Sequence, residues 1–211
     1  MRLLVTAGPT HEAIDPVRYL ANRSSGKMGF AVAAAGAARG WEVVLVAGPV
    51  ALATPPGVRR IDVVTAQEMF EAVRREAVAA DAAVFAAAVA DFRPAALAEE
   101  KIKKSSGVVA LDLEPTPDIL AAMRGAFGFA GVLVGFAAET TDLLANARAK
   151  LERKGCDLVV ANDVGRSDIG FGTDDNEAVI LHRADGRVEH LPKMPKSALA
   201  DAIIERVAEL L

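Results

Sequence analysis

Asp81-Ala82-Ala83-Val84-Phe85-Ala86-Ala87-Ala88-Val89-Ala90 carries one charge, at its start, and then no polar side chain. A strand with one face in water alternates apolar and polar positions. An unbroken apolar run of this kind reads instead as a central strand of a parallel sheet, covered on both faces. Before it, Thr65-Ala66-Gln67-Glu68 is a capping box that opens a helix reaching about Ala80. Val58 to Val64 and Trp41 to Ala47 read as strands, the second closed by Gly48-Pro49. Between Gly26 and Arg39 an Ala-rich helix is stopped by Gly40, and Leu3-Leu4-Val5 is a first strand ending at Gly8-Pro9. After it come a strand at Val132 to Ala137, a helix from about Thr141 to Lys154 and a strand at Leu158 to Ala161. Strands alternating with helices define an α/β fold, a Rossmann-like, doubly wound and mostly parallel sheet. Residues 177–191 depart from that rhythm: apolar stretches flank Asp185-Gly186, a hairpin turn signal, and an amphipathic helix from Pro195 to Leu211 follows. No repeat, linker or low-complexity tract divides 1–211, which reads as a single domain.

The 211 residues are 52% apolar and 25% charged, as in a folded soluble protein. No apolar stretch approaches the ~20 residues of a membrane span, and Met1 leads straight into a strand pattern with no signal-peptide order. A cytoplasmic protein without membrane partners is expected. Cys156 is the single cysteine, so it is read as a core residue and no cysteine metal cluster is expected. His11, His182 and His190 lack metal-ligand spacing, and the net charge of −4 argues against nucleic acid.

In doubly wound sheets ligands sit beyond the carboxyl ends of the strands, so the loops at 6–25, 48–57, 88–107, 137–140 and 162–176 matter most. The first ends in Asn22-Arg23-Ser24-Ser25-Gly26-Lys27-Met28-Gly29. This stretch opens a helix whose free N–H groups attract an anion, with Arg23 and Lys27 adding charge; an ordinary serine-capped helix fits it equally well. Met28 after Lys27, and Ala21 where a glycine would stand, exclude a P-loop. There is no Gly-x-Gly-x-x-Gly, and no ribose-binding acid ends the second strand, which weighs against an NAD(P)-dependent oxidoreductase. Asp91 follows the central run and suits a metal, a nucleotide hydroxyl or simply a turn. Lys101-Ile102-Lys103-Lys104 reads as a solvated loop or as a triphosphate contact. Lys150 and Lys154 share a helix face and repel unless an anion lies between them. Phe136, in Gly135-Phe136-Ala137-Ala138-Glu139-Thr140, either stacks on a base or fills the core. Asn162-Asp163-Val164 and the stretch Gly170-Phe171-Gly172 with Asp174-Asp175-Asn176 fall on the same edge, and their glycines, Asn and Asp fit a plain loop as well.

Taken in order, Thr6-Ala7-Gly8-Pro9-Thr10, Asp15-Pro16-Val17-Arg18-Tyr19, the Asn22 to Gly29 stretch, Ala87-Ala88-Val89-Ala90-Asp91, Lys101-Ile102-Lys103-Lys104, Gly135 to Thr140 and Ala161-Asn162-Asp163 closely resemble the bacterial phosphopantothenoylcysteine synthetase family. The resemblance implies a ligase that joins 4′-phosphopantothenate to cysteine with CTP and Mg2+, through an acyl-cytidylate. It assigns Asn22 to the acyl-cytidylate and the substrate, and Lys101 to the CTP phosphates. Asp91 goes to the nucleotide or its metal, and Phe85, Ala86 and Ala87 lie along the nucleotide. Phe136, Lys150 and Lys154 become further CTP contacts, and Arg18 serves phosphopantothenate. Thr116-Pro117-Asp118-Ile119 stands where the family commonly has Asn-Pro-Asp-Ile, so Thr116 keeps a hydroxyl but lacks an amide. The resemblance further implies a homodimer with shared sites. Ser105-Ser106-Gly107 is suited to a flap that keeps water from the mixed anhydride. The competing readings are the oxidoreductase and a catalytically inactive nucleotide-binding module.

Overall fold

A computed structural model of the chain describes residues 1–104, 107–163, 165, 170 and 172–211. Its first half runs β1 (Arg2–Ala7), β2 (Glu12–Ala13), β3 (Tyr19–Leu20), α1 (Lys27–Ala38), β4 (Glu42–Ala47), β5 (Val58–Asp62), α2 (Ala66–Ala77) and β6 (Ala82–Phe85). Then come β7 (Phe92–Pro94), β8 (Leu113–Pro115), α3 (Ile119–Arg124), β9 (Val132–Glu139), α4 (Leu143–Lys154), β10 (Leu158–Asp163), β11 (Asp175–His182), β12 (Val188–Pro195) and α5 (Lys196–Glu209). The main sheet has eight strands in the order β12-β11-β10-β9-β6-β1-β4-β5. From β10 to β5 every pairing is parallel, and β11 and β12 add an antiparallel edge.

Both faces of this sheet are covered, which is why its strands lack alternation. Leu3, Val5 and Ala7 of β1 pack with Phe30 and Val32 of α1 and with Leu199 and Ile203 of α5. Leu4 points the other way, into a layer formed by Met69 of α2, Met123 of α3 and Leu151 of α4. Cys156 belongs to this second layer and is fully buried, and burial pushes its thiol up to about 11. Close approach of α1 to the sheet depends on Gly29, where a Cβ would lie 2.5 Å from the Ala7 Cβ.

The apolar run at 81–90 is shorter as a strand than its composition suggests. Only Ala82–Phe85 pair as β6; beyond them the chain leaves the sheet plane and follows the loop after β1. The Ala86 and Ala88 N–H groups donate to the Thr6 and Gly8 carbonyls, and the Thr10 hydroxyl accepts from the Ala90 N–H. Small side chains in 86–90 make room at the sheet's edge rather than filling its core. The capping box is present at α2, with Thr65 Oγ1 accepting from Glu68 N at 3.1 Å and Glu68 Oε2 from Thr65 N at 3.3 Å. The hairpin extends further than 177–191, to 175–195, and turns at Gly186, whose φ is 70°. The ribbon β2–β3 and the strand β7 lie in segments read as loops, while β8 and the helix α3 lie in 108–131, where no element was expected. Among the described residues no helix is long and apolar enough to cross a membrane.

Candidate functional site

A cleft of about 970 Å³ opens at the carboxyl ends of β1, β6, β9 and β10. That is within the range of small-molecule sites. Its floor is the chain from Phe85 to Asp91, with Ala86 and Ala87 on its surface. The Thr6 hydroxyl accepts from the Ala87 N–H at 3.3 Å. Asn22 crosses the floor and donates from Nδ2 to the carbonyls of Ala88 and Val89, at 3.3 and 3.0 Å. Among the described residues its Oδ1 has no hydrogen-bond partner. Asp91 is exposed at the rim, and among the described residues its carboxylate has no hydrogen-bond or ion-pair partner.

One wall comes from α3, α4 and the segment before α3. Thr116 donates its hydroxyl to the Ala90 carbonyl at 2.5 Å and its N–H to the Asp91 carbonyl at 3.0 Å. The hydroxyl left in place of the family's amide is thus spent on holding the floor. Pro117 leads into Asp118, which caps α3 by accepting from Ala121 N at 3.0 Å, and Ile119 begins the helix as a buried anchor. The carboxylate's other oxygen pairs with Lys154. Burial raises the Asp118 carboxyl, but the Lys154 ammonium and the Ala121 N–H outweigh it and leave it below the usual range. Lys150 donates to the Phe136 carbonyl at 2.5 Å, and burial draws its ammonium below the usual lysine range. Asp118 is the anion beside Lys154, yet Lys154 still contributes to the lowering of Lys150, so part of the repulsion expected between the two lysines persists. Phe136 is half-buried, packed against the core yet bordering the cleft.

The opposite wall is built on α1. Gly26, at φ 76°, is its N-cap, and no side chain caps the helix or adds an acid in its first turn. The serine-capped reading gives way to an open helix end, where N–H groups lack intrahelical partners. Lys27 does not reach freely into the cleft; its Nζ holds Asp174 Oδ1 at 2.7 Å and the Gly172 carbonyl at 3.0 Å. Asn162, buried at the end of β10, lines this wall. So do Asn176, from the stretch expected on this edge, and Lys196, for which sequence reasoning held no expectation. Lys196 is buried and donates to the Gly170 and Thr173 carbonyls at 2.7 and 2.5 Å. The one signal for it was a lysine after Met194-Pro195 at the start of an apolar helix face.

Arg18 and Lys101 lie outside the cleft of their own chain. Arg18 clamps Asp15 through Nε at 3.0 Å and Nη2 at 2.5 Å, and Nη2 also donates to the Ile102 carbonyl at 2.6 Å. The Ile102 N–H returns to Asp15 Oδ2 at 3.1 Å, so Arg18 and the lysine-rich segment form one unit. Burial would raise the Asp15 carboxyl, but Arg18 and three backbone N–H groups hold it far below its ordinary value. Ser105, Ser106, Val164 and Phe171 lie outside the described residues. Among the described residues no group of three His, Cys, Asp or Glu side chains could hold a metal ion. An ion here would have Asp91 and the ligand's own oxygens. Magnesium is commonly held that way, by one or two carboxylates and phosphate groups.

An open helix end, two lysines and a floor of small residues at the carboxyl edge of a parallel sheet define an α/β protein with a site shaped for an anionic, nucleotide-sized ligand. The chain belongs to the family of the DNA/pantothenate metabolism flavoprotein C-terminal domain, whose model matches residues 1–211. It is 48% identical over 210 residues to the coenzyme A biosynthesis bifunctional protein CoaBC of Vibrio cholerae, covering 99% of this chain and 52% of that protein. To CoaBC of Escherichia coli K12 it is 43% identical over 210 residues, covering 98% of this chain and 51% of that one. The chain thus spans about half the length of the curated relatives it matches. The crystal structure of the C-terminal domain of CoaBC superimposes with a TM-score of 0.83 at 38% identity, over 99% of this chain and 94% of that one. A complex of a Cab2 mutant with phosphopantothenate-cysteine shares the fold, with a TM-score of 0.83 at 19% identity over 99% of this chain and 85% of that chain.

Proposed function

We propose that this chain is the ligase unit that joins 4′-phosphopantothenate to L-cysteine at the expense of CTP, in coenzyme A biosynthesis. The observation that carries the reading is the cleft itself. It gathers Asn22, the 85–91 floor, Asp91, Phe136, Lys150 and Lys154 with an open helix end, in a chain whose relatives are named for coenzyme A biosynthesis.

In the first step a phosphopantothenate carboxylate oxygen attacks the α-phosphorus of CTP, and the bond to the pyrophosphate oxygen breaks. Reactant and leaving group are both anionic, so the site must offset their repulsion. The α1 N-terminus, Lys150 and Lys154 supply positive potential, with Lys101 placed on the leaving phosphates. Asp91 would hold a magnesium ion, which when bound supplies further charge neutralisation to the triphosphate. In the second step the cysteine amine attacks the acyl carbon, the bond to CMP breaks and the amine loses a proton. Asn22 Oδ1, a free acceptor above the floor, is suited to orient that amine.

The reading includes a homodimer in the cytoplasm. Val108, Val109, Leu111 and Leu113 are exposed, as is Phe92 on the strand paired with that of Leu113, and exposed apolar side chains gathered on one segment are of a kind that marks an interaction surface. A second copy on this face would also give Arg18 and Lys101 a cleft to serve, since their own lies apart from them. Incubation with phosphopantothenate, cysteine and each nucleoside triphosphate tests the proposal. Pyrophosphate and CMP should appear with CTP, and absence of both in every mixture would sink it.

A further inference from the structure

Asn176 stands near the start of β11, 3% exposed, on the α1 side of the cleft. Its Oδ1 is buried and, among the described residues, has no hydrogen-bond partner. Buried amide oxygens are nearly always paired, because leaving one unpaired forfeits its hydration without return. The local backbone gives the exception a shape. Register between β11 and β12 slips between Asn176 and Ala178, where Pro192 and Lys193 stand opposite Glu177 alone. The extra residue is on β12, so that strand bends where it passes Asn176, and bulges concentrate beside active sites.

The surroundings decide what the oxygen faces. Lys27 and Lys196 line the same cleft but are held by Asp174 and by the Gly170, Gly172 and Thr173 carbonyls, which leaves the uncapped N-terminus of α1 as the open donor end beside them. An anionic group belongs against that helix end. A bare acceptor oxygen beside it repels the anion and requires a hydrogen-bond donor carried close to it on the same ligand. Both phosphorylated substrates of the proposed ligase have such a donor in a hydroxyl: the ribose of the nucleotide, and the pantoyl group of phosphopantothenate. We propose that Asn176 is a specificity-determining binding residue whose Oδ1 accepts a hydrogen bond from a ligand hydroxyl in this cleft. This rests on the ligase reading and adds to it a recognition contact on the wall opposite Lys150 and Lys154.

Asn176→Leu keeps the branched four-atom outline of the side chain and removes the acceptor, and the smaller Asn176→Val removes it without overpacking, so the Tm comparison is read on whichever variant is the more stable. Equilibrium binding to wild type and variant, with magnesium present, is measured for CTP, its 2′-deoxy and 3′-deoxy forms, phosphopantothenate and its analogue without the pantoyl hydroxyl. For one hydroxyl-bearing ligand the variant should bind roughly ten-fold more weakly, as for loss of one buried hydrogen bond. The matching deoxy ligand should bind wild type and variant equally, and the ligand that shows this pattern identifies the hydroxyl. Without ligand, the variant's Tm should equal or exceed that of wild type, since an unpaired buried oxygen has been removed. Equal weakening for hydroxyl and deoxy ligands, unchanged binding throughout, or a lowered Tm would overturn the proposal. Wild-type protein that binds neither CTP nor phosphopantothenate would overturn the ligase reading and this contact with it.

Discussion

Lys154 of α4 pairs with one oxygen of Asp118 while the other oxygen of that carboxylate caps α3 at the Ala121 N–H. A lysine lining the cleft therefore also holds two helices together. Lys154→Met should lower stability by about 0.5–1 kcal/mol, modest because Asp118 is half exposed and screened by solvent. Asp118→Asn in the Lys154→Met background should then cost less than in the wild type, a difference that a double-mutant cycle of urea denaturation measures. Additive losses would show that the pair is not coupled.

Asp15 makes acid stability legible. Its folded-state carboxyl lies below the ordinary 3.8, held there by Arg18 and backbone N–H groups despite burial. A depressed folded value means the ionised group stabilises the fold in full above the unfolded value, and that contribution is lost as pH falls through the folded one. Wild type should therefore lose stability from about pH 4 downward on this account, while Asp15→Asn, already weaker at neutral pH, should change less. Thermal melts of both proteins between pH 2.5 and 7 check the convergence.

Gly29 tests how α1 is held. A Cβ at this position would stand 2.5 Å from the Ala7 Cβ and 3.0 Å from the Thr6 carbonyl oxygen, both on the rigid β1 strand. The helix must move rather than the strand, so Gly29→Ala should cost about 1–3 kcal/mol, as overpacking does. The displaced N-terminus should also weaken CTP binding. Calorimetric titration of the folded variant separates that effect from instability.

The layered sheet was legible because each strand that ends up covered on both faces, such as Leu3-Leu4-Val5, is apolar at consecutive positions. The ends of the central run were not. Ala86 to Ala90 are as apolar as Ala82 to Phe85, and only the positions of Thr6, Gly8 and Thr10 on a distant segment turn them into a cleft floor. Helix α3 is six residues long, too short for periodicity, although Asp118 was a readable N-cap. The ribbons β2–β3 and β7–β8 are shorter still. Within the site, Asp91, Phe136, Lys150 and Lys154 meet because they follow or flank adjacent parallel strands, which topology alone predicts. Lys196 was missed because its burial arises from Gly170, Thr173 and Asp174 meeting the start of α5, a contact with no local signature, whereas Asn176 lay in a stretch already placed on this edge.

Asn22 and Lys101 should fail at different steps of the proposed reaction. Lys101→Gln keeps much of the side chain's length but loses the charge set against the departing pyrophosphate. Loss of such a contact commonly costs ~2.7–4 kcal/mol of barrier, or roughly a hundred- to thousandfold in rate, so acyl-cytidylate formation itself should slow. Asn22 has a different position: its Nδ2 is committed to the Ala88 and Val89 carbonyls, and among the described residues its Oδ1 is uncommitted. Asn22→Asp puts a carboxylate oxygen where Nδ2 was, opposite those two carbonyls. The side chain must swing away from them, and the free acceptor no longer stands where the attacking amine needs it. The triphosphate-binding lysines are untouched, so the first step should lose about tenfold or less, consistent with a local shift of the floor. Quenched single-turnover reactions should then show pyrophosphate released in one turnover while acyl-cytidylate persists and the cysteine adduct lags. Lys101→Gln should show pyrophosphate and adduct slowed together, with no accumulated intermediate. The same parallel loss in Asn22→Asp would mean that Asn22 supports the floor for both steps and orients nothing.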